Sequence, residues 1–184
     1  MRTDFLSGMR NRGFVKVDNV GGGNCVFISL AELVFGDASR FEFMRYMIVH
    51  RLRRFPEKYF KNTTDSQDYC NNMATYRKDA TEKELQAAAD IFFAVIKCYS
   101  IDDPFEPTNV IWPLRCPKIP VKDTNTLKLW THGTHCMALV DDESQPLIQN
   151  IFDEPDIGKA ISLHEREEES GRSRNSQPND SVLL

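Results

Sequence analysis

Cys25 directly follows Gly21-Gly22-Gly23-Asn24 and opens a segment whose apolar residues, Val26, Leu30, Leu33 and Val34, recur at helical spacing. A cysteine at a helix N-terminus faces the positive end of the helix dipole, which favours the nucleophilic thiolate. Only glycine adopts the positive φ values of such a tight loop cheaply. The free amides of a turn of this kind can also point at a developing oxyanion. Nucleophile and oxyanion hole can thus come from one five-residue stretch. The missing partner is a base, which for a thiol is a histidine arriving from elsewhere in the chain.

The chain has four histidines. His164 falls in a polar tail, and His50 lies in an amphipathic helix where packing or solvation accounts for it. His132 and His135 sit at the last well-marked strand, in Thr131-His132-Gly133-Thr134-His135-Cys136-Met137-Ala138-Leu139-Val140. His135 is the better candidate because a strand holds its ring rigidly, whereas His132 precedes a glycine and reads as a turn residue. Spacing alone leaves other chemistries to weigh. Gly21-x-Gly23 lacks the third glycine of a dinucleotide fingerprint, and no Gly-Lys-Ser/Thr completes a P-loop. A zinc site from His132, His135, Cys136 and Cys116 requires a broken strand, since His135 and Cys136 otherwise point to opposite faces. Cys70, Cys98 and Cys116 have no glycine-loop or helix-start context and read as inert thiols.

The elements that must position these residues alternate helical and extended patterns. Asp4–Arg12 reads as a short helix and Phe14–Val17 as a strand. The helix Cys25–Phe35 stops at Gly36, and a longer one runs from about Arg40 to Arg54 with Phe41, Met44, Ile48, Leu52 and Phe55 at core spacing, ended by Pro56. Arg45, Arg51, Arg53 and Arg54 read as its solvated outer face rather than a phosphate site. Thr81-Glu82-Lys83-Glu84 is a capping box that opens a helix through about Phe92. Strands follow at 94–99, 109–112, 127–131 and 134–140, with a proline-rich loop to Pro120 and with Trp112 and Trp130 packing against the sheet. Helices lead and strands trail, which predicts an α+β fold rather than repeated β-α-β units.

Composition bounds the rest. The 184 residues suffice for one domain with one core. No apolar run reaches the ~20 residues of a membrane span, and Met1-Arg2-Thr3-Asp4 lacks the pattern of a signal peptide. Five scattered cysteines without a C-x-x-C pair argue for a reducing, cytoplasmic setting. Residues 153–184 hold eight of the 27 acidic and four of the 23 basic residues, so 1–152 is neutral and the tail carries the whole imbalance. The expected division is a domain at 1–152 and an acidic, disordered, solubilising tail at 153–184. A neutral domain lacks the basic footprint of a nucleic-acid binder.

With these residues in view, the sequence resembles the ovarian-tumour (OTU) family of cysteine deubiquitinases over about 125 residues. That family's signature is an apolar strand, an Asp-Gly-x-Cys loop and a helix beginning at the cysteine. Here those are Phe14–Val20, Gly22-Gly23-Asn24-Cys25 and Val26-Phe27-Ile28-Ser29-Leu30. Val34-Phe35-Gly36-Asp37, Met44-Arg45 and Arg54-Phe55-Pro56-Glu57-Lys58-Tyr59-Phe60 are similar to its next helix and Pro-Glu-x-Phe ending. Tyr69 with Met73 and Glu84-Leu85-Gln86-Ala87-Ala88-Ala89 are similar to its central helix pair, and His135 falls where its histidine opens a strand. Three positions depart. Gly22 stands where the family has Asp, and Asp79-Ala80-Thr81 replaces Trp-Gly-Gly. Met137 occupies the position two after the histidine, where an Asp or Asn normally accepts the imidazole N–H.

The resemblance implies a papain-type α+β cysteine-protease fold, a small sheet flanked by helices. It implies Cys25 as nucleophile, His135 as base, and backbone amides of Gly22, Gly23 and Cys25 as oxyanion hole. The substrate would be the C-terminal glycine of ubiquitin or a ubiquitin-like modifier, cleaved by a monomer without metal or organic cofactor and with no nucleic-acid or membrane partner. The third catalytic position stays open between a Cys–His dyad, an acceptor from Asp18 or Asn19, and a degenerate module that binds ubiquitin without cleaving it.

Overall fold

A computed structural model of the chain describes residues 14–100, 103, 105–114, 126–141 and 147. The helix expected at 4–12, Cys116, His164 and the tail at 153–184 lie outside the described residues. Among these, in chain order, stand strand β1 (Phe14–Val17), helix α1 (Cys25–Phe35), a 3-10 turn (Ala38–Arg40), helices α2 (Phe41–Arg54), α3 (Pro56–Tyr59), α4 (Ser66–Met73) and α5 (Glu82–Phe92), and strands β2 (Val95–Ser100), β3 (Asn109–Ile111), β4 (Thr126–His132) and β5 (His135–Asp141). The predicted α+β class is the observed one: helices plus a five-stranded mixed sheet. None of the helices among the described residues is long and apolar enough to cross a membrane.

The sheet order is β1-β5-β4-β2-β3, with β2 and β4 parallel and the other neighbours antiparallel. Side chains alternate across it as the two-residue period demands. Ile96, Cys98, Leu127, Leu129 and Cys136 point to one face and merge with Phe27, Leu30 and Val34 of α1, Met44, Ile48 and Leu52 of α2, and Ala88 and Phe92 of α5 in one core. Trp130, Met137 and Leu139 point to the other face and form a smaller apolar cluster with Phe14 and Tyr99. Trp130 therefore packs on the sheet as expected. Trp112 does not: it is 56% exposed beyond the end of β3, where its carbonyl accepts from Gln86 Nε2 at 2.7 Å.

Two local differences have simple causes. Pro56 ends α2 but also starts α3, because a proline at the first helical position forgoes an N–H that would be unpaired anyway. His132 is the last residue of β4, stacked on Trp130 at 5.7 Å, and Gly133 and Thr134 make the turn. The capping box forms as read: Lys83 N–H donates to Thr81 Oγ1 at 3.3 Å, and Thr81 N–H donates to Glu84 at 2.6 Å. The Glu84 carboxylate is fully buried and also accepts from Tyr69 Oη, whose own pKa is pushed up to about 12, chiefly by burial. This cluster ties α4 to the start of α5 and so fixes the C-terminal end of the segment 74–80 between them.

Leu129 sits fully buried in β4 at the centre of the sheet. Leu129→Ala is expected to cost about 2–5 kcal/mol, read as a lowered urea midpoint with an unchanged slope.

Candidate active site

Register carries the chain to the site. β1 runs antiparallel to β5 with Val17 opposite Ala138, so the next residues pass the start of β5. The alternation of β1 continues two residues beyond its end and sends Asp18 and Asn19 in opposite directions. Asp18 stays on the face of Met137 and His135, and its carboxylate lies 3.8 Å from His135 Nε2. Asn19 turns toward α1, where its Nδ2 donates to the Cys136 carbonyl at 2.8 Å and to Ser29 Oγ at 3.2 Å. Its Oδ1 accepts from Gly21 N–H at 3.0 Å. Of the two residues considered for the third position, Asp18 faces the histidine and Asn19 anchors the loop.

The loop between them and α1 is left-handed through its three glycines, a conformation that glycine adopts at no steric cost. Gly21, Gly22 and Gly23 have φ of 68°, 69° and 81°. A Cβ on Gly22 would meet nothing within 4 Å, whereas one on Gly23 would lie 1.9 Å from the Arg77 carbonyl oxygen. Gly22 is thus constrained by its backbone alone, a conformation that Asp adopts more readily than most residues. Gly23 is constrained by its neighbour as well.

Cys25 begins α1 as expected and is 3% exposed. Its Sγ–H donates to the Thr134 carbonyl at 3.6 Å, across 109 residues of chain and one residue from His135. The imidazole lies against the glycine loop: Nδ1 and Cε1 would be 3.4 and 3.5 Å from a Cβ on Gly21. One ring nitrogen therefore faces the loop that carries Cys25, and the other faces Asp18. Met137, two residues on, is buried with Trp130 and Leu139 and contributes packing, not a strong hydrogen-bond acceptor, to the face that carries His135.

The remaining thiols are of another kind. Cys70, Cys98 and Cys136 are buried. Burial pushes Cys98 up to about 11 and raises Cys70 and, further, Cys136. Cys136 shares a strand with His135 but points into the main core, so the two do not converge on a metal.

Sequence reasoning misplaced Arg45. It is 5% exposed, not part of the outer face of α2. Its Nη2 donates to the Gly23 carbonyl at 2.9 Å, to Asn24 Oδ1 at 2.7 Å and to the Lys78 carbonyl at 3.0 Å, and Nη1 donates to the Met73 carbonyl at 2.8 Å. The signal was present in the spacing. Arg45 lies four residues after Phe41 and three before Ile48, on the apolar stripe. Asn24 is diverted too: it stands at the N-cap of α1, yet its side chain makes no cap bond and accepts from Arg45 and from Arg77 N–H at 3.0 Å. The segment 74–80 thereby roofs the cysteine loop.

This architecture is that of known proteins. The OTU domain of OTUD1 superposes with a TM-score of 0.62, at 18% identity over 76% of this chain and 94% of that one. This chain has the OTU fold. An OTU domain in complex with ubiquitin matches at a TM-score of 0.56 and 17% identity, over 83% of this chain and 88% of that one. The viral OTU protease of Farallon virus matches at 0.53 and 16%, over 70% and 84%. In sequence, the ovarian tumor domain-containing deubiquitinating enzyme 10 of Arabidopsis thaliana is 34% identical over 89 residues, 46% of this chain but only 25% of that protein's length. No protein-family model matches the chain.

The glycine loop yields a contrast between neighbours. Gly22→Ala is expected to cost only the left-handed strain of an alanine, about 1–2 kcal/mol. Gly23→Ala, which must also displace the Arg77 backbone, is expected to lower the melting temperature distinctly further in the same thermal scan.

Proposed function

We propose that the chain is a cysteine-dependent deubiquitinase that hydrolyses isopeptide or peptide bonds at the C-terminal glycine of ubiquitin or a ubiquitin-like modifier. The observation that carries this reading is that Cys25, at the start of α1, bonds the β4–β5 turn one residue from His135, whose ring lies against the glycine loop before Cys25, within an OTU fold. Two of the similar structures, an OTU domain and the Hazara virus OTU, are bound to ubiquitin, which supports the choice of substrate.

In the reaction His135 takes the Cys25 proton and the thiolate attacks the glycine carbonyl. Backbone amides of Gly22, Gly23 and Cys25 receive the oxyanion; the N–H of Gly21 is already spent on Asn19. Protonated His135 delivers its proton to the departing lysine amine and leaves a thioester on Cys25. A water then gives its proton to His135, attacks the thioester and releases the carboxylate. Asp18 orients the ring from the side opposite the loop. At 78% exposure and 3.8 Å this is a weak partner, so the site runs close to a Cys–His dyad.

A second reading, ubiquitin binding without cleavage, draws on Met137 in the acceptor position and on the near-complete burial of the Cys25 thiol.

Purified chain incubated with ubiquitin bearing a C-terminal electrophile is expected to gain the mass of one ubiquitin. Cys25→Ala abolishes the adduct, and His135→Ala slows it about 10²- to 10⁴-fold. Asp18→Asn slows it no more than about fivefold, since an exposed ion pair contributes about 1 kcal/mol at most. An adduct that persists in Cys25→Ala would refute the mechanism. Ubiquitin binding in titration without any adduct would favour the second reading.

A further inference from the structure

Arg45 gathers acceptors from two segments some fifty residues apart. Gly23 and Asn24 belong to the cysteine loop, and Met73 and Lys78 bracket the segment that roofs it. Its guanidinium lies 3.9 Å from the ring of Phe27, on the helix that begins at Cys25. A planar fork stacked on a ring has little freedom, so its two terminal nitrogens are aimed together. A charged group this deeply buried is costly unless its donors are matched. Here three backbone carbonyls and Asn24 Oδ1 serve Nη1 and Nη2, while Nε has no partner among the described residues.

The bond to Gly23 has a geometric consequence. The peptide between Gly23 and Asn24 is planar and trans, so a carbonyl held toward Arg45 turns the Asn24 N–H the opposite way. The same guanidinium holds Asn24 Oδ1, which also accepts from Arg77 N–H, and Arg77 is itself left-handed at φ 65°. The Arg77 carbonyl in turn closes over Gly23. Arg45, Asn24 and Arg77 thus form one closed circuit around the residues that precede the nucleophile.

We infer that Arg45 is a positioning residue for the reaction proposed above, holding the cysteine loop and the 74–80 segment in the one arrangement that sets Cys25 and the loop amides for attack. The inference rests on the cysteine-protease reading. Lysine cannot replace it in full, because an ammonium on a flexible stem does not stack on Phe27 or span carbonyls from both segments.

The test compares the full chain with Arg45→Met, Arg45→Lys and Asn24→Ala in two assays. One is steady-state cleavage of a fluorogenic C-terminal amide of ubiquitin, and the other is amide hydrogen exchange resolved by peptide. In Arg45→Met kcat is expected to fall about 10- to 100-fold with KM changed less than about twofold. Exchange should quicken in peptides covering 20–25 and 74–80 while α2 and the sheet keep their protection. Arg45→Lys should recover part of kcat, and Asn24→Ala should loosen the same two segments. Wild-type kcat in Arg45→Met would overturn the inference. So would faster exchange spread evenly through α2 and the sheet, which marks a packing residue only. If Arg45→Met does not fold, Arg45→Lys and Asn24→Ala decide by the same criteria. A wild-type chain inert toward ubiquitin, with quickened exchange confined to the two segments in the variants, would remove the protease reading and leave the clamp standing.

Discussion

The contact between Gly23 and the Arg77 carbonyl is the constraint on which the rest of the site depends. The chain must pass from the end of β1 to the start of α1 in a few residues and deliver Cys25 beside the turn before β5. It does so through three consecutive left-handed residues, the last of them under another segment's backbone with no room for a Cβ. That close approach brings the 74–80 segment into hydrogen-bonding range of Asn24, and it requires 74–80 to be held firmly at both ends. The buried Glu84 cluster and the capping box at Thr81 hold one end, and the bond from Arg45 to Met73 holds the other.

The sheet supplies the second half of the site by its alternation alone. Carried past the end of β1, the two-residue period places Asp18 at the imidazole and Asn19 at the core side of the loop. Along β5 it places His135 and Met137 on one face and Cys136 on the other. The same rule therefore separates a residue that can move a proton from a neighbouring thiol that burial keeps inert. Met137 illustrates the trade: an acceptor at that position would sit among Trp130 and Leu139, whereas a methionine fills the apolar cluster. The carboxylate that faces the ring is instead that of Asp18, 3.8 Å from Nε2.

Much of this was legible in the residues, where local rules decide. The glycine run before Cys25, the helix ending at Gly36, the capping box and the strand carrying His135 all follow from short-range chemistry, and each element lies where that chemistry puts it to within a residue or two. The α+β class followed from their order. What local rules missed depended on tertiary contact. Arg45 was read by its charge as solvated, although its position on the apolar stripe of α2 marked it as buried. Asn24 has the residue type of an N-cap, yet Arg45 and Arg77 compete successfully for its oxygen. Trp112 was expected on the sheet, but β3 ends at Ile111 and leaves the indole outside. The choice between Asp18 and Asn19 was open in the sequence because it depends on the register of β1 against β5.

The measurement closest to the central claim is mass spectrometry of the chain acid-quenched during turnover of a lysine-linked ubiquitin substrate. The account predicts a transient species heavier by one ubiquitin less a water, attached to Cys25 and released by hydroxylamine as a thioester must be. Turnover that proceeds with no acyl group on Cys25, or an acyl group located on another residue, would contradict it.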